Sequence, residues 1–420
     1  MSTLRLSERV SALKPSVTVA VTNRAKQMKR DGVDVLAFAA GEPDFDTPEP
    51  VKAAAIEALR GGQTKYMPTL GDPETRGVIA DKLVRENGIS GVTANHVGIS
   101  AGGKHSLYLA MHCLLDPAAA GEEPWEVLLP VPAWVSYKPI AELAGGVVKE
   151  IQSGPETDFK ITPEQLSQAI TPRSRVLCLN SPSNPCGTMY TEDELRALAA
   201  VVAEKASVAP QLVVLTDEIY EKIVYGGFDH FSIGSVPEIA ERTVTINGLS
   251  KAFAMTGWRI GYAAMPGEFG AKLIAGMGKL QGQMTTNITS FNYPAIRCAL
   301  TNTDVAAEVE RMRQAFARRG ELTHRLLGEI PGVVCPKPTG AFYAFPDISA
   351  FFGKTTPGGK TINSSLDLCE AMLEEINVAF VPGEDFGGCG PRHARISFAC
   401  AEEQIERGLA AFKGFVEKLG

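Results

Sequence analysis

The sequence predicts an α/β protein with a mainly parallel central sheet in a large domain and a smaller α+β domain after it. From about residue 95 to about residue 265, continuous apolar runs alternate with helical segments, the pattern of strands covered by helices on both faces. Past about residue 300 the alternation gives way to a long charged helix and short strands. Turn-forming residues follow several of the apolar runs, where α/β sheets bind their ligands.

The first hundred residues predict three helices and one short strand. A helix over 17–30 ends at Asp31-Gly32, and an apolar strand follows at 35–39. The next helix, 49–59, is closed by a glycine pair. The third helix opens at Asp72-Pro73, a cap residue followed by proline at the first helical position.

Seven apolar runs then predict the strands of the central sheet. They lie at 96–100, 126–129, 147–151, 176–180, 212–216, 243–247 and 259–265. Between them, Thr191 and Glu194 form a capping box that starts a helix. In such sheets the ligand lies beyond the carboxyl ends of the strands, so residues just after the strands are the first candidates for a site.

The last part of the chain predicts the smaller α+β domain. A charged helix over 304–327 precedes the short elements, and the chain closes with a helix over 402–419. Short strands are expected at 332–335, 342–345, 378–381 and 394–398.

Composition excludes several classes of protein. The net charge of −7 argues against nucleic-acid binding, which needs a basic surface. No apolar run approaches the length of a membrane span, and the first ten residues lack the apolar core of a signal peptide. The eight cysteines contain no Cys-x-x-Cys pair, so neither a metal site nor a disulfide framework is expected. We therefore expect a cytoplasmic protein without a metal.

The stretch over 247–261 carries the strongest chemical signal. Lys251 lies among small and apolar residues, where an amine loses proton affinity and becomes a nucleophile toward carbonyls. Ser250 adds a hydroxyl, and Arg259 adds a guanidinium suited to phosphate. Read by itself, Lys251 could equally be an ordinary surface lysine.

This stretch reads Ser-Lys-x-Phe-x-Met-x-Gly-Trp-Arg-x-Gly and resembles the signature of pyridoxal-phosphate-dependent aminotransferases of the aspartate aminotransferase superfamily. The resemblance implies fold type I and pyridoxal 5'-phosphate as cofactor, with Lys251 as the lysine that binds it covalently and acts as acid and base. Arg259 then binds the cofactor phosphate. It also implies a discontinuous domain division: 1–48 as an N-terminal arm and part of the small domain, 49–300 as the large cofactor-binding domain, and 301–420 as the small domain.

Further phosphate contacts are expected where a strand runs into a helix. The amides of Gly102, Gly103 and Lys104 lie at a predicted helix start and can meet an anion there, although a tight turn is the plainer explanation of two glycines taken alone. They match the family's phosphate loop. Trp134 matches an aromatic residue that stacks on the cofactor ring. Many relatives carry a second serine where this chain has Gly248, which leaves Ser250 as the nearer hydroxyl.

Three polar residues match the family's contacts to the cofactor ring. Asn184 and Tyr220 correspond to the donors for the phenolic oxygen, and Pro185 suits a cis bond. Asp217 follows a predicted strand, where a buried carboxylate needs a cation. By resemblance that cation is the ring nitrogen, while a helix N-cap is the plainer interpretation. Cys186 replaces a commoner threonine, a change that we expect the turn to tolerate.

Substrate contacts are implied at both ends of the chain. Arg395 matches the arginine that grips the substrate α-carboxylate, with a surface ion pair as the alternative, and Gly41, Trp134 and Asn184 complete the family's substrate pocket. Tyr66 matches a tyrosine that reaches the phosphate of the neighbouring subunit. The resemblance thus implies a homodimer with shared active sites, acting on amino acids and 2-oxo acids.

Two lysines point to acidic substrates. Lys104 and Lys14 match lysines of the prokaryotic aspartate/prephenate aminotransferase subgroup, although Lys14 could be a solvated terminal lysine. This favours aspartate or glutamate with 2-oxoglutarate or oxaloacetate, and prephenate as a further acceptor. The alternatives within the fold are an aminotransferase for aromatic or neutral amino acids and a carbon–sulfur lyase. A cofactor-bound regulator without turnover is the alternative from another class.

Overall fold

The computed structural model of the protein describes residues 4–13 and 17–420. Within these ranges the helices are α1 (Glu8–Ser11), α2 (Val17–Arg30), α3 (Glu49–Arg60), α4 (Pro73–Asn87), α5 (Gly103–Leu114), α6 (Tyr137–Leu143), α7 (Pro163–Ala169), α8 (Glu192–Glu204), α9 (Gly267–Gly282), α10 (Asn292–Thr301), α11 (Thr303–Gly328), α12 (Ser365–Ile376) and α13 (Glu402–Val416). The strands are β1 (Leu36–Ala37), β2 (Val97–Ser100), β3 (Glu126–Val131), β4 (Val147–Gln152), β5 (Ser174–Asn180), β6 (Val213–Asp217), β7 (Thr243–Gly248), β8 (Gly261–Ala264), β9 (Tyr343–Ala344), β10 (Val378–Ala379), β11 (Val381–Pro382) and β12 (Ala394–Ser397). None of these helices combines the length and the apolar character that crossing a bilayer would need.

A seven-stranded sheet in the order β2-β8-β7-β6-β5-β3-β4 forms the centre of the molecule. Strand β8 runs antiparallel to both of its neighbours, and the other adjacent strands are parallel. The mainly parallel α/β sheet is therefore confirmed. Every residue of β6 and β7 is buried, as expected for strands with helices on both faces.

All seven predicted strands of this sheet are present, each within two residues of the predicted bounds. The run predicted at 259–265 begins only at Gly261, because Arg259 adopts a φ of 55° and so leaves the extended conformation. Asp72 caps α4 through its side chain, and Thr191 and Glu194 form the predicted capping box at α8.

Smaller sheets lie beside the helices of the last part of the chain. β11-β12-β9 is antiparallel, and α11 packs against α13. The long helix predicted at 304–327 is confirmed as α11, and the closing helix ends at Val416. The strand predicted at 332–335 is wrong, since only Val334 makes an isolated bridge, to Asp347.

The N-terminal segment joins this last part of the chain. Leu36 pairs in parallel with Val378, and the ring of Phe38 contacts that of Phe380 with centroids 5.6 Å apart. A Cβ atom on Gly408 of α13 would lie 2.2 Å from the Phe38 ring, so only glycine lets the helix approach this closely. This pairing accords with the discontinuous domain division, whose boundaries at residues 48 and 300 stay predictions.

Candidate active site

A cavity of about 430 Å³ lies beyond the carboxyl ends of the central strands. Its walls come from the turns after β2, β3, β5, β6 and β7, together with a loop after β1 and residues of β9 and β12. It brings together most of the residues singled out in the sequence, namely Gly41, Gly103, Lys104, Trp134, Asn184, Asp217, Tyr220, Ser250, Lys251, Arg259 and Arg395.

Lys251 lies in the turn that follows β7, with its amine inside the cavity. Lys251 Nζ donates a hydrogen bond to the carbonyl oxygen of Gly41. Burial, followed by repulsion from Arg395, lowers the pKa of Lys251 to about 8, although Glu42 and Asp217 act in the opposite direction. A sizeable fraction of the amine is therefore neutral near physiological pH, as a nucleophile or general base requires.

Asp217, the last residue of β6, is 6% exposed. Its Oδ2 accepts a hydrogen bond from Tyr137 Oη at 2.8 Å, and its Oδ1 accepts one from the Ile219 amide at 3.2 Å. Burial raises the pKa of this carboxyl to about 6. In the described part of the chain, no basic side chain comes within 4.0 Å of the carboxylate, so this anion lacks a cationic partner.

Arg395 points from β12 into the cavity and is 6% exposed. Its Nη1 donates to Asn184 Oδ1 at 3.0 Å and its Nη2 to the Ala39 carbonyl at 3.2 Å, while its Nε is buried without a partner. The guanidinium also lies 4.8 Å from the centroid of the Tyr343 ring. Residues 4–13 and 17–420 supply no carboxylate within 4.0 Å of it, so Arg395 is a buried cation that can receive a carboxylate.

The turn after β2 and Arg259 together form an anion site. Gly102 has a φ of 95°, and a Cβ atom there would lie 2.4 Å from Arg259 Nη2. Gly103 begins α5, so this point lies at the positive end of the helix, while the Gly102 amide donates to the Ser100 carbonyl at 2.7 Å. Arg259 Nη1 donates to the Thr256 carbonyl at 2.8 Å, and the described residues give its guanidinium no ion pair with a carboxylate. Ser250, 7% exposed, lies in the same wall.

Lys104 and Trp134 lie together in the cavity wall. Lys104 Nζ is 4.8 Å from the centroid of the Trp134 ring, and burial followed by repulsion from Arg259 lowers the pKa of this lysine. The Trp134 ring meets the Tyr137 ring edge-to-face at 5.3 Å. The edge contact leaves the indole beside the cavity, where an aromatic ligand could stack.

The structure adds site residues that the sequence did not single out. Tyr137 holds Asp217, and its position just after the turn that follows β3 was the available signal. Tyr343 Oη lies 3.0 Å from Tyr220 Oη, and Asn180 Nδ2 donates to the Asp217 carbonyl at 2.9 Å. Nothing in the local pattern of residues around Tyr343 indicated that its hydroxyl would face the cavity.

Three further positions from the sequence can be placed. Tyr66 is 87% exposed and lies outside the cavity of the single chain. Lys14 lies outside the described residues. The Asn184–Pro185 bond is cis, as predicted, and Cys186 is buried within the same turn.

Comparisons with known proteins place the chain in a family. The sequence profile described as Aminotransferase class I and II matches residues 33–412. An aspartate/prephenate aminotransferase of Cereibacter sphaeroides is 44% identical over 411 residues, which cover 98% of each chain. An aspartate aminotransferase of Geobacillus stearothermophilus is 42% identical over 99% of each chain. The structure of the aspartate aminotransferase from Thermus thermophilus with maleate has a TM-score of 0.88 at 42% identity, covering 98% of this chain and 100% of that one. With this identity along nearly its whole length, and with the signature around Lys251, the chain belongs to the class I and II aminotransferases of the aspartate aminotransferase superfamily.

Proposed function

We propose that the protein is a pyridoxal 5'-phosphate-dependent aminotransferase. It moves the amino group between L-aspartate or L-glutamate and 2-oxoglutarate or oxaloacetate, with prephenate as a further candidate acceptor. One observation carries the proposal: the buried carboxylate of Asp217 has no cationic partner among the described residues. This carboxylate lines the same cavity as the amine of Lys251. A protonated pyridine nitrogen is a cation that such a buried carboxylate could pair with.

The chemistry of the donors fits this cofactor. The amides of Gly103 and Lys104, the Ser250 hydroxyl and the Arg259 guanidinium would hold the phosphate, beside Gly102, whose own amide donates to the Ser100 carbonyl at 2.7 Å. Asp217 would hold the ring nitrogen, Trp134 the ring face, and Asn184 with Tyr220 the phenolic oxygen. The close approach of Arg259 to Gly102, where a Cβ atom would lie 2.4 Å away, supports the phosphate assignment. When bound, the cofactor supplies an electron sink for the negative charge left on the substrate α-carbon.

The protein's own groups would bind the substrate and move its proton. Arg395 would bind the α-carboxylate, and the Gly41 backbone would complete the contact. The Lys251 amine, with a pKa near 8, would accept the proton that leaves the substrate α-carbon and would act as the acid that gives it back. Asp217 would favour the protonated form of the ring nitrogen, since a buried carboxylate favours a cationic partner.

The charge of the cavity supports an acidic substrate. Lys104 lies at the Trp134 face without an ion pair to any described carboxylate, so it can receive a second carboxylate. Lys14 would join it on the basis of the sequence resemblance alone. The names of the relatives point the same way, as does maleate, a dicarboxylate, in the Thermus thermophilus structure.

The assembly is proposed to be a cytoplasmic homodimer with shared sites. Several large apolar side chains besides Tyr66 are exposed, among them Ile56, Leu59 and Met284, of which Met284 is 52% exposed. Such a surface suits contact with a second copy of the chain. All eight cysteines are free thiols, which supports a reducing compartment.

A single-turnover experiment tests the proposal. Cofactor-loaded protein mixed with L-aspartate alone should release about one equivalent of oxaloacetate per subunit and then stop, because the amino group stays on the protein. Adding 2-oxoglutarate should restart the reaction and produce glutamate. Continuous keto-acid release without an acceptor would indicate a lyase instead, and release from aromatic but not acidic amino acids would overturn the substrate assignment. The matched control is Lys251→Ala, which should bind substrate without releasing oxaloacetate.

A further inference from the structure

Asp217 ends β6, and Glu218, Tyr220 and Glu221 follow it in the next turn, with their side chains alternating in direction. Asp217 and Tyr220 line the cavity, while the carboxylates of Glu218 and Glu221 bond to groups outside it. The turn belongs to neither a helix nor a strand. Its own backbone bonds are few, among them Glu221 N to Glu218 O at 2.9 Å. Glu218 N also donates to Ile246 O at 2.9 Å and Ile223 N to Tyr220 O at 2.8 Å, and side-chain contacts add to these backbone bonds.

The carboxylate of Glu221 is held by the end of α4. Lys82 Nζ, with its side chain 1% exposed, donates to Glu221 Oε1. The same ammonium donates to Asn87 Oδ1 at 2.7 Å. Asn87 Nδ2 donates in turn to Glu221 Oε2 at 2.7 Å. The three side chains therefore form a closed ring of hydrogen bonds.

The carboxylate of Glu218 extends this ring. Asn87 Nδ2 lies 3.2 Å from Glu218 Oε2, and His230 Nε2 lies 3.1 Å from the same oxygen. Ser232 Oγ donates to Glu218 Oε1 at 2.7 Å. Asn87 thus bridges both carboxylates of the turn, although it is more than 130 residues away in sequence.

The protein itself supplies the cation for Glu221, the Lys82 ammonium, while Asn87, His230 and Ser232 bond to Glu218. Glu218, Glu221 and His230 offer ligand atoms within 4.8 Å of one another, the spacing of a metal site, but the Lys82 ammonium already supplies the cation. A second pair, Lys222 with Glu86 at 2.6 Å, borders the cluster. A buried ion pair of this kind adds little net stability over an apolar pair. It does make any other conformation of the turn costly, because a carboxylate would then lose its partner.

We propose that Lys82 and Asn87 are positioning residues, which hold Glu218 and Glu221 and thereby fix the turn that presents Asp217 and Tyr220 to the cavity. The roles of Asp217 and Tyr220 rest on the proposed function, while the anchoring itself does not. A displacement of either group by about 1 Å would be enough to slow the reaction by one to two orders of magnitude.

The double variant Lys82→Met/Glu221→Met separates positioning from stability, because it replaces the ion pair with apolar side chains of similar length. Its melting temperature should fall by only a few degrees, because apolar side chains replace the ion pair while the Asn87 amide loses two of its bonds. In the cofactor-free protein, hydrogen exchange of the 217–223 amides should accelerate about tenfold or more. In the loaded protein, the pH midpoint of the visible absorbance of the bound cofactor should move. The value of kcat should fall roughly 10- to 100-fold, with a smaller change in KM.

The control is Arg297→Met, which removes a partly buried charge that contacts Asp72 at the opposite end of α4. It should leave the exchange of 217–223 and the absorbance midpoint unchanged. If the double variant does not fold, Glu221→Gln keeps the shape of the side chain and should show the same changes more weakly. Wild-type exchange and a wild-type absorbance midpoint in either variant would overturn the proposal. A wild-type protein that neither binds cofactor nor transaminates would overturn the proposed function, and the exchange result would still decide the anchoring.

Discussion

The hydroxyl oxygens of Tyr220 and Tyr343 lie 3.0 Å apart in the wall of the cavity. Each hydroxyl has one hydrogen to donate. If Tyr220 donates into the cavity, Tyr343 has to donate to Tyr220. The ring of Tyr343 also lies under the Arg395 guanidinium, so one side chain supports two groups of the proposed site.

Replacing this tyrosine, in Tyr343→Phe, should therefore lower kcat/KM for aspartate about tenfold while the fold is kept, because Tyr220 loses the bond that orients its hydroxyl. Steady-state kinetics and the melting temperature check it. The control is Tyr225→Phe, which removes a buried hydroxyl that bonds to the Gly340 and Ala341 carbonyls outside the cavity. Equal kinetic losses in both variants would contradict the prediction.

The rate at which the Lys251 amine is labelled in the cofactor-free protein should vary with pH according to its lowered pKa. Modification of Lys251 by an amine-reactive reagent, measured by peptide mass spectrometry, should reach half its maximal rate near the pKa of about 8. Arg395→Leu should raise this midpoint and Glu42→Gln should lower it, because Arg395 lowers and Glu42 raises the pKa of Lys251. Shifts in the same direction for both variants would be incompatible with this account.

The free energy of unfolding of the cofactor-free protein should depend on pH through the buried carboxyl group of Asp217. Burial raises the pKa of Asp217 from 3.8 to about 6, so its stabilising contribution is complete below about pH 4 and is lost as the pH rises through 6. Cofactor-free Asp217→Asn should be more stable than the wild type at neutral pH, by roughly 2–3 kcal/mol. Urea unfolding at pH 4 and pH 7.5 checks this, and the advantage should be absent at the lower pH.

Substrate preference should depend on the two lysines assigned to the distal carboxylate. Lys104→Ala and Lys14→Ala should each weaken kcat/KM for aspartate about tenfold, the worth of one charged hydrogen bond, and should spare alanine. The control is Lys138→Ala, since Lys138 is an exposed lysine that does not line the cavity. Equal losses for aspartate and alanine would refute the acidic-substrate assignment.

Subunit mixing tests whether Tyr66 serves the neighbouring site. Tyr66→Leu and Lys251→Ala should each be poorly active alone. Refolded together, they should form hybrids in which one site carries both changes and the other carries neither, so activity should rise well above that of either parent. The same mixture kept from exchanging subunits is the control, and no gain on mixing would mean that each site belongs to one chain.

The large sheet could be predicted from the sequence because strands buried on both faces need uninterrupted apolar residues. Strand β6 is fully buried and was found within one residue. The two-residue strands β1 and β9 carry no periodicity, so their length and partners could not be read from the chain. The order of the strands also depends on long-range packing that no local pattern records.

The site could be predicted by position but not in its supporting contacts. Residues just after strands proved to line one cavity, while the roles assigned to them came from family resemblance and stay proposals. The direction of the Tyr343 side chain depends on pairing between β9 and β12, which lies beyond the local sequence. Lys82 falls between the buried residues Ile79 and Leu83 on α4, so helical periodicity could have marked it as a buried lysine.

The pairing of Leu36 with Val378 has a consequence for synthesis on the ribosome. The partner of the first strand emerges more than 300 residues after the strand itself, an interval of roughly 15–70 seconds at ordinary rates of elongation. During that time Val35 and Phe38, which end up buried, have no permanent place to pack. The nascent chain therefore carries an apolar segment that chaperones can bind until the last strands leave the exit tunnel, while the central sheet already has all of its strands.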